Sequence, residues 1–508
     1  MSGRYLLGLD IGTSVVKAAL FDEAGREVAV ASSRTSLLRP RPDWVEASLD
    51  ETWQMAASAI RALLPQAGLT GDDVAAVGVT GNMVGAWLVD ALGQPVRPGI
   101  LWCDARSRPL VERLSRHDPA FLSQIYHTSG SALEFGCTLP ILRWLAEHEP
   151  QSLERAQTVL CCKDWIVFKL TGSRQLDPTE ASVLPGDTRR RGYSEALVEL
   201  WGLTPWRSLL PPVRPSETIV GQVTPEAAAL TDLPAGTPVV AGAGDVPAST
   251  LGAGAIEPGA ACTVLGTTCH NGLVVAEPLF EPPEVGLLFC LPGERWLRVM
   301  VNLAGTTNLD WFIEQFCGVE AAQVTDPTDL LARVENLAHQ SPPGAHGVLF
   351  HPYLGNGGVI APFVEPAARG QFFGLSARHT RADLLRAVYE GVAYAIRDCY
   401  QAMARPSDVR LAGGGARSLF WSQLIADVAG LPVIVPAGRE FGAKGAALLA
   451  GVGLGWFENT AQAVASADQI VRRHTPNPRL RLLYDDGYGL YRQLRDDLRP
   501  AWQRQTQP

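Results

Sequence analysis

The sequence is short of several things, and each shortage narrows the field. Its 508 residues hold nine cysteines, an odd number, scattered singly apart from the adjacent Cys161 and Cys162. That is poor material for a disulfide framework and points to a reducing, cytoplasmic setting. No C-x-x-C or H-x-x-x-H pair offers zinc spacing, so the cysteines read as small buried hydrophobes and the histidines as surface groups. Positive charge is not in excess: 43 Lys and Arg face 52 Asp and Glu, a net charge of −9. A nucleic-acid partner, which needs a basic face, is therefore not expected. Nothing resembles a signal peptide, and no apolar run reaches the roughly 18 residues of a spanning helix, so no membrane partner is expected either. The longest apolar candidate, Val239 to Ile256, is interrupted by Asp245 and several glycines. There is also no Walker A motif. "EFGAKGAA" lacks the Gly-Lys-Ser/Thr order.

What is present is an ordinary globular composition, 46% hydrophobic and 19% charged. The chain is too long for one core, so two or three domains are expected. The first half opens with a hairpin, Tyr5 to Phe21 and then Val28 to Ser33. A helix is predicted near Ser48 to Leu64, with Trp53, Ala56, Ile60 and Leu63 on one stripe. Short strands at Val74 to Val79 and Ala86 to Val89 follow. Strand and helix signals alternate thereafter, the pattern of an α/β domain. "PPVRPSETIVGQVTPEAAALTDLPAGTP" is rich in proline and turns and reads as surface connection.

The second half restarts the same grammar. "GAACTVLGTTCHNGLVV" is strand, Gly-Thr-Thr turn, strand, and echoes "LLGLDIGTSVVKAALF" about 255 residues later. An amphipathic helix is predicted over Thr380 to Met403 and a strand at Val409 to Leu411 running into "AGGGARS". A further helix spans Leu419 to Ala429, stopped by Gly430, and "EFGAKGAALLAGVGLG" reads as a helix packed closely through small residues.

Two Gly-Thr hairpin turns facing across a cleft would expose backbone N–H groups able to hold a triphosphate. In that reading Gly12 admits the phosphate, Thr13 supplies a hydroxyl and Asp10 a carboxylate for Mg²⁺. The plain alternative is a pair of ordinary turns. Asp245 ends another apolar strand among small residues. It is placed either to accept a proton from a bound hydroxyl or to cap the helix that Pro247 would begin.

These residues carry a resemblance. "LDIGTSVVKAALFD", "VTGNMVGAWLVD", "ILWCDARS", "CCKDWIVFKLTG", "AGAGDVPASTLGAG", "LGTT", "FFGLSARHTRADLLRAVYEGVAYAIRDC" and "LAGGGARSLFWSQLIADVAG" occur in the order of the FGGY carbohydrate kinases. The resemblance implies an α/β fold of two ribonuclease-H-like, actin/hexokinase-type domains with a cleft between them. It implies a sugar-binding domain over 1–248, a nucleotide-binding domain over 249–455 and a helical extension over 456–508. It also implies ATP and Mg²⁺, a small sugar or polyol as substrate, and a homodimer as an assembly to consider.

Residue by residue, Asp10 matches the Mg²⁺-organising carboxylate. Thr13 and Lys17 fall near the nucleotide phosphates. Gly266 and Thr267 match the second phosphate turn, and Gly414, Gly415 and Ala416 the loop against adenosine. Asp245 matches the base that takes the proton from the sugar hydroxyl. Met83, Val84, Trp102 and Asp104 fall where the family contacts its sugar.

Departures from the family concern the substrate. Asn82-Met83-Val84-Gly85 stands where xylulokinases usually read Gln-Met-His-Gly, Val246 where an Asn usually follows the base, and "GNGGVIAPF" where a Gly-Glu-Arg-Thr-Pro-like stretch is usual. "CCKDWIVFKLTG", "DPTEAS" and "AIRDCYQAM" resemble the erythritol kinase branch. "FGLSARHTRADLLRAVYEGV" also resembles the L-xylulose and 3-keto-gulonate kinase branch. Glycerol kinases carry an Arg-Glu pair at Met83-Val84, so glycerol is not expected. The implied activity is phosphoryl transfer from ATP to a primary hydroxyl of a short ketose or polyol of the xylulose or erythritol type. The alternative is a non-catalytic, actin-like ATP- or sugar-binding regulator.

Overall fold

The structure is a computed structural model and describes residues 4–322 and 326–505. The first half is built on a seven-stranded sheet. Its strands are β1 (Tyr5–Ile11), β2 (Val15–Phe21), β3 (Glu27–Arg34), β4 (Val74–Gly81), β5 (Ile219–Gln222), β6 (Pro238–Val240) and β7 (Ala243–Gly244). They lie in the order β3-β2-β1-β4-β6-β5, with β7 also beside β4. β1, β2 and β3 form an antiparallel meander, whereas β4 runs parallel to β1, and β6 parallel to β4.

The second half repeats this plan. β8 (Ala260–Leu265), β9 (Cys269–Val275), β10 (Leu287–Leu291), β11 (Arg295–Asn302), β12 (Asp408–Ala412), β13 (Val433–Pro436) and β14 (Ile470–His474) make its sheet. The order is β10-β11-β9-β8-β12-β13-β14. Here β8, β9 and β11 are the antiparallel meander, and β12 and β13 continue parallel from β8. The weak internal repeat in the sequence is thus the same five-strand arrangement built twice, with each Gly-Thr turn joining its first two strands.

The helices follow from their own chemistry. α1 (Leu49–Gln66) begins at Ser48, whose hydroxyl accepts the Glu51 N–H at 3.2 Å. Asp50 and Glu51 sit in its first turn, where the helix dipole favours them. Trp53, Ala56, Ile60 and Leu63 are buried against the sheet. α2 (Pro178–Ala181) is one turn long, and α3 (Asp245–Gly252) leaves the end of β7. α4 (Arg381–Met403) is opened by a capping box in which Asp383 accepts the Thr380 N–H at 2.8 Å. α5 (Leu419–Ala429) ends at Gly430, which takes the left-handed conformation at φ 63°.

α6 (Phe441–Gly453), the small-residue helix, joins the two halves. It lies on β1 and β4 of the first sheet, where a Cβ on Gly8 or Gly78 would collide with the carbonyls of Ala443 and Ala446. It also packs on α3, where a Cβ on Gly445 would collide with the Ala248 carbonyl. Leu6, Ala76 and Ala243 of the first half share one core with Ala443, Ala447 and Leu448 of the second.

Three segments differ from expectation. The proline-rich connection supplies β5, an edge strand antiparallel to β6, and a helix at Pro225–Thr231 that Thr224 caps. Turn residues bound these elements on both sides, which hides them in the composition. α3 runs unbroken across the expected domain boundary at 248/249. Beyond residue 455, the helices Thr460–Ser466 and α7 (Arg481–Gln505) flank β14, which extends the second sheet. All nine cysteines are unpaired, and among the described residues no helix is long and apolar enough to cross a membrane.

Candidate active site

Asp10 lies one residue before the end of β1, opposite Lys17 on β2 and Thr80 on β4. On the other side of β4, Ala243 pairs with Thr80 and Gly244 with Gly81. Asp245 comes next. The two carboxylates therefore emerge at the same end of one sheet, flanking the end of β4. α6 closes the site from the side: a Cβ on Gly442 would lie 2.6 Å from Asp10 Oδ2 and 3.4 Å from Ser249 Oγ. Gly442 thus admits the Asp10 carboxylate.

Asp245 is the first residue of α3, and Gly244 holds the cap position without a side chain. The Val246 N–H donates to Asp245 Oδ1 at 2.8 Å, leaving Oδ2 uncommitted. Burial, reinforced by the charge of Asp10, raises the Asp245 carboxyl to about 7. Burial likewise raises Asp10 to about 6, opposed by Lys17 and reinforced by Glu440. Lys17 is itself ion-paired with Glu440 at 2.7 Å. Among the described residues no cationic side chain bonds to either Asp10 or Asp245.

Two cavities meet at Asp245. One, of about 270 Å³, is lined by Met83, Val84, Trp102 and Glu134 as well as Asp245 and His270. The other, of about 290 Å³, is lined by Asp10, Gly12, Asp245, Ser249, Gly266 and Thr268. Val246, Thr268 and His270 also face both.

The second turn is stitched by its backbone. The Gly266 N–H donates to the Thr268 carbonyl at 3.0 Å, and the Thr306 N–H to the Gly266 carbonyl at 2.7 Å. The Thr267 carbonyl accepts the Gly305 N–H at 2.7 Å. Ala412 pairs with Val264, which brings the glycine loop after β12 alongside Gly266. Gly413 takes φ 87° there, and a Cβ on it would lie 2.6 Å from the Leu265 carbonyl oxygen. Gly414 faces open space, whereas Gly415 and Ala416 are buried behind it.

Six of the site residues that the family resemblance singles out line the two cavities, whereas Lys17, Thr267, Gly414, Gly415 and Ala416 line neither. Met83, Val84, Trp102 and Asp245 share one cavity; Asp10, Gly266 and Asp245 share the other. Thr13 bridges the two groups, because the Trp102 indole N–H donates to Thr13 Oγ1 at 3.1 Å. Asp104 is not brought to either cavity. The Arg106 guanidinium grips its carboxylate through Nε and Nη2, both at 2.8 Å, and the Val45 N–H adds a bond at 2.7 Å. With its acceptors so engaged and its side chain fully buried, Asp104 shapes the loop after Trp102.

Glu134 and His270, two polar residues of the cleft, carry no motif. Glu134 sits in the loop between Ser131 and Cys137, and His270 is the second residue of β9. Burial lowers the His270 pKa, so its imidazole is neutral near pH 7. His270 was within reach of sequence reasoning, since it lies two residues past Thr268, but Glu134 had no such marker. Val84 is also unusual: a β-branched residue at φ 54°, in the left-handed region.

The family model "FGGY family of carbohydrate kinases, N-terminal domain" matches residues 5–252, and the corresponding C-terminal domain model matches 261–454. The chain belongs to the FGGY family of carbohydrate kinases. The resemblance in the motifs, the two-domain actin/hexokinase-type α/β fold and the class of phosphotransferase are thereby shown. The chain is 34% identical to an erythritol kinase of Brucella abortus, over 99% of this chain and 98% of that one. It is 32% identical to an autoinducer-2 kinase of Salmonella paratyphi A, over 99% and 95%. The solved structure of a xylulose kinase from Rhodospirillum rubrum superposes with a TM-score of 0.87 at 30% identity, covering 98% of this chain and all of that one.

Proposed function

We propose that this FGGY kinase transfers the γ-phosphoryl group of ATP to a primary hydroxyl of a short ketose or polyol. One observation carries the reading: Asp245 lines both cavities, so a group bound in one meets a group bound in the other at this carboxylate. The first cavity, with Met83, Val84 and Trp102, is the place for the sugar. The second, with Asp10 and the Gly266 turn, is the place for the phosphates.

Asp245 accepts the proton of the attacking hydroxyl. A carboxyl raised to about 7 is a stronger base than an ordinary one and is still half ionised at neutral pH. Among the described residues no cationic side chain bonds to Asp10 or Asp245, Lys17 opposes the shift of Asp10 only in part, and both are destabilised as anions by burial. That donor set fits Mg²⁺, a hard cation that prefers carboxylate and phosphate oxygen. Asp10 would hold it, and bound Mg²⁺–ATP supplies the phosphoryl group with its charge partly neutralised. The turns at Gly12 and Gly266 would meet the phosphates through N–H groups other than those of the two glycines, which bond to the Val15 and Thr268 carbonyls. Lys17 and Thr13 stand beside the first of these turns, and Thr267 is part of the second. Gly414, with Gly415 and Ala416 behind it, lies where adenosine approaches. Closure of the cleft excludes water that would otherwise accept the phosphoryl group.

The substrate follows from the walls. Val84 and Val246 offer no hydrogen bond, and a buried hydroxyl without a partner costs about 1–3 kcal/mol. A hexose brings more hydroxyls than these walls can satisfy. Four- and five-carbon substrates such as erythritol or xylulose fit best, in keeping with the names of two of the relatives, an erythritol kinase and a xylulose kinase. The regulator reading is not favoured, because a mere binder needs no carboxylate shared between two cavities.

The test is ADP release with a panel of sugars and polyols. Erythritol or a xylulose should give the highest kcat/KM. No ADP release above the ATP-only background with any member of the panel would overturn the kinase reading. A hexose or glycerol at the top would overturn only the reading of the walls.

A further inference from the structure

The sugar cavity is lined mainly by apolar groups, yet it contains a second carboxylate, Glu134. Among the described residues no side chain or backbone group bonds to that carboxylate. Glu134 remains exposed to solvent at this cavity; the protein around it disfavours the charged form and raises its pKa, and no cation opposes the shift.

The loop that carries Glu134 is nonetheless fixed at both ends. Upstream, the Ala132 N–H donates to the Gly286 carbonyl at 2.8 Å, and the Leu288 N–H of β10 donates to Ser131 Oγ at 2.8 Å. Downstream, Gly136 lies so close to Trp102 that a Cβ on it would overlap the Trp102 carbonyl. The Cys137 N–H closes the turn onto the Glu134 carbonyl at 3.1 Å. An anchored loop therefore presents an unpartnered acid to the space where the sugar is placed. No lysine or arginine lines that space.

We infer that Glu134 is a specificity-determining residue that accepts two hydroxyls of the substrate, away from the hydroxyl facing Asp245, and rejects anionic substrates. This rests on the sugar-kinase reading above and names the substrate class for it: uncharged polyhydroxyl compounds bearing a vicinal diol, not sugar acids. The chemistry is direct. An ionised carboxylate has two oxygens and accepts only, so neighbouring O–H groups can each donate to one oxygen. Hydrogen bonds to a charged acceptor are the stronger kind. A sugar acid would instead bring a third negative charge beside Glu134 and Asp245 with no counter-charge, and like charges discriminate sharply in a partly dry site.

The test uses matched four-carbon compounds, erythritol and erythronate, with D- and L-xylulose, on the full-length protein. Kinetics are read by ADP release and binding by calorimetry. The unaltered protein should prefer erythritol to erythronate by more than about 100-fold. Glu134→Ala should raise KM and Kd for the preferred neutral substrate by about 10- to 100-fold, with a much smaller change in kcat. Glu134→Gln keeps the shape and one acceptor. It should recover part of that loss while narrowing the discrimination against erythronate.

Unchanged KM and Kd in Glu134→Ala would overturn the inference, and so would erythronate used as well as erythritol. Failure of any neutral four- or five-carbon compound to bind would also end it. The two readings remain separable, since a protein that binds erythritol through Glu134 but releases no ADP would refute the kinase step alone.

Discussion

Glu180 Oε2 accepts the backbone N–H of Val84 at 2.9 Å. The bond holds a β-branched residue at φ 54°, a conformation that costs of order 1–3 kcal/mol and persists only when its surroundings impose it. The same one-turn helix, α2, reaches the base as well: the Gly244 N–H donates to Thr179 Oγ1 at 2.8 Å, one residue before Asp245. Behind it, the Lys163 ammonium meets Asp164 at 2.5 Å and Asp177 at 3.0 Å and supplies the positive charge of this buried cluster. "DPTEAS" thus positions both the cavity wall and the base. Glu180→Ala should leave the Val84 N–H without a partner and cost about 1–3 kcal/mol of stability. It should also raise the substrate KM more than it lowers kcat. Thermal denaturation and steady-state kinetics on one preparation check both. An unchanged KM would mean that other contacts hold the wall.

Asp245→Asn keeps the shape but cannot accept a proton. We expect kcat to fall by roughly 10²–10⁴ with a much smaller change in sugar affinity. Near-normal turnover would leave Asp245 as part of the helix start, where it already accepts the Val246 N–H.

The same carboxyl predicts a stability change of definite sign. Its pKa is raised from the ordinary 3.8 to about 7 in the folded protein. The folded state therefore holds this proton more tightly than the unfolded chain. The resulting penalty is absent below about pH 4, grows as pH rises and is complete above about 7. Asp245→Asn mimics the neutral form. Without Mg²⁺ it should stabilise the protein at pH 8 by up to about 4 kcal/mol, and hardly at all at pH 4. Chemical denaturation in the presence of a chelator at both pH values measures the difference. Equal stabilisation at the two would show that charge is not the cause.

Activity should follow the same titration. The kcat/KM profile reports groups of the free enzyme, so its rising limb should lie near 7. Asp10 contributes to raising Asp245, and Asp10→Asn removes that charge. The limb of its residual activity should move to lower pH. The variant should also lose turnover that added Mg²⁺ restores only in part. A limb that stays in place would separate the two carboxylates electrostatically.

Much of this was legible in the sequence because the signals are contiguous. Asp10, Gly12 and Lys17 share one hairpin, Asp245 follows the glycine that ends β7, and Gly266 follows the last residue of β8. A strand followed by glycine and a carboxylate fixes both a turn and a direction. Sequence reasoning stops where one long-range contact decides a side chain's direction. Trp102 and Asp104 are two residues apart, yet Trp102 faces the cavity and Asp104 turns inward to Arg106. Glu134 lies in a loop without periodicity, and its place depends on the close approach of Gly136 to Trp102. The left-handed backbone of Val84 runs against the preference of its residue type and is held by the bond that its N–H donates to Glu180.

The glycine loop separates two neighbours that the motif treats alike. A Cβ on Gly415 would lie 2.5 Å from Leu265 Cδ2, and Leu265 is fully buried. A valine there overpacks the core of the second half, at a cost of about 1–3 kcal/mol or more. Gly415→Val should therefore lower Tm and weaken ATP binding only as a consequence. A Cβ on Gly414 meets nothing within 4 Å. Gly414→Val should leave Tm within about 2 °C, since surface changes are usually small. It should instead raise the KM for ATP several-fold while the sugar KM holds, because the branched side chain projects into the space assigned to adenosine. Differential scanning fluorimetry beside kinetics with each substrate varied distinguishes the pair. If Gly414→Val weakens the sugar and spares ATP, the two halves of the cleft are assigned the wrong way round.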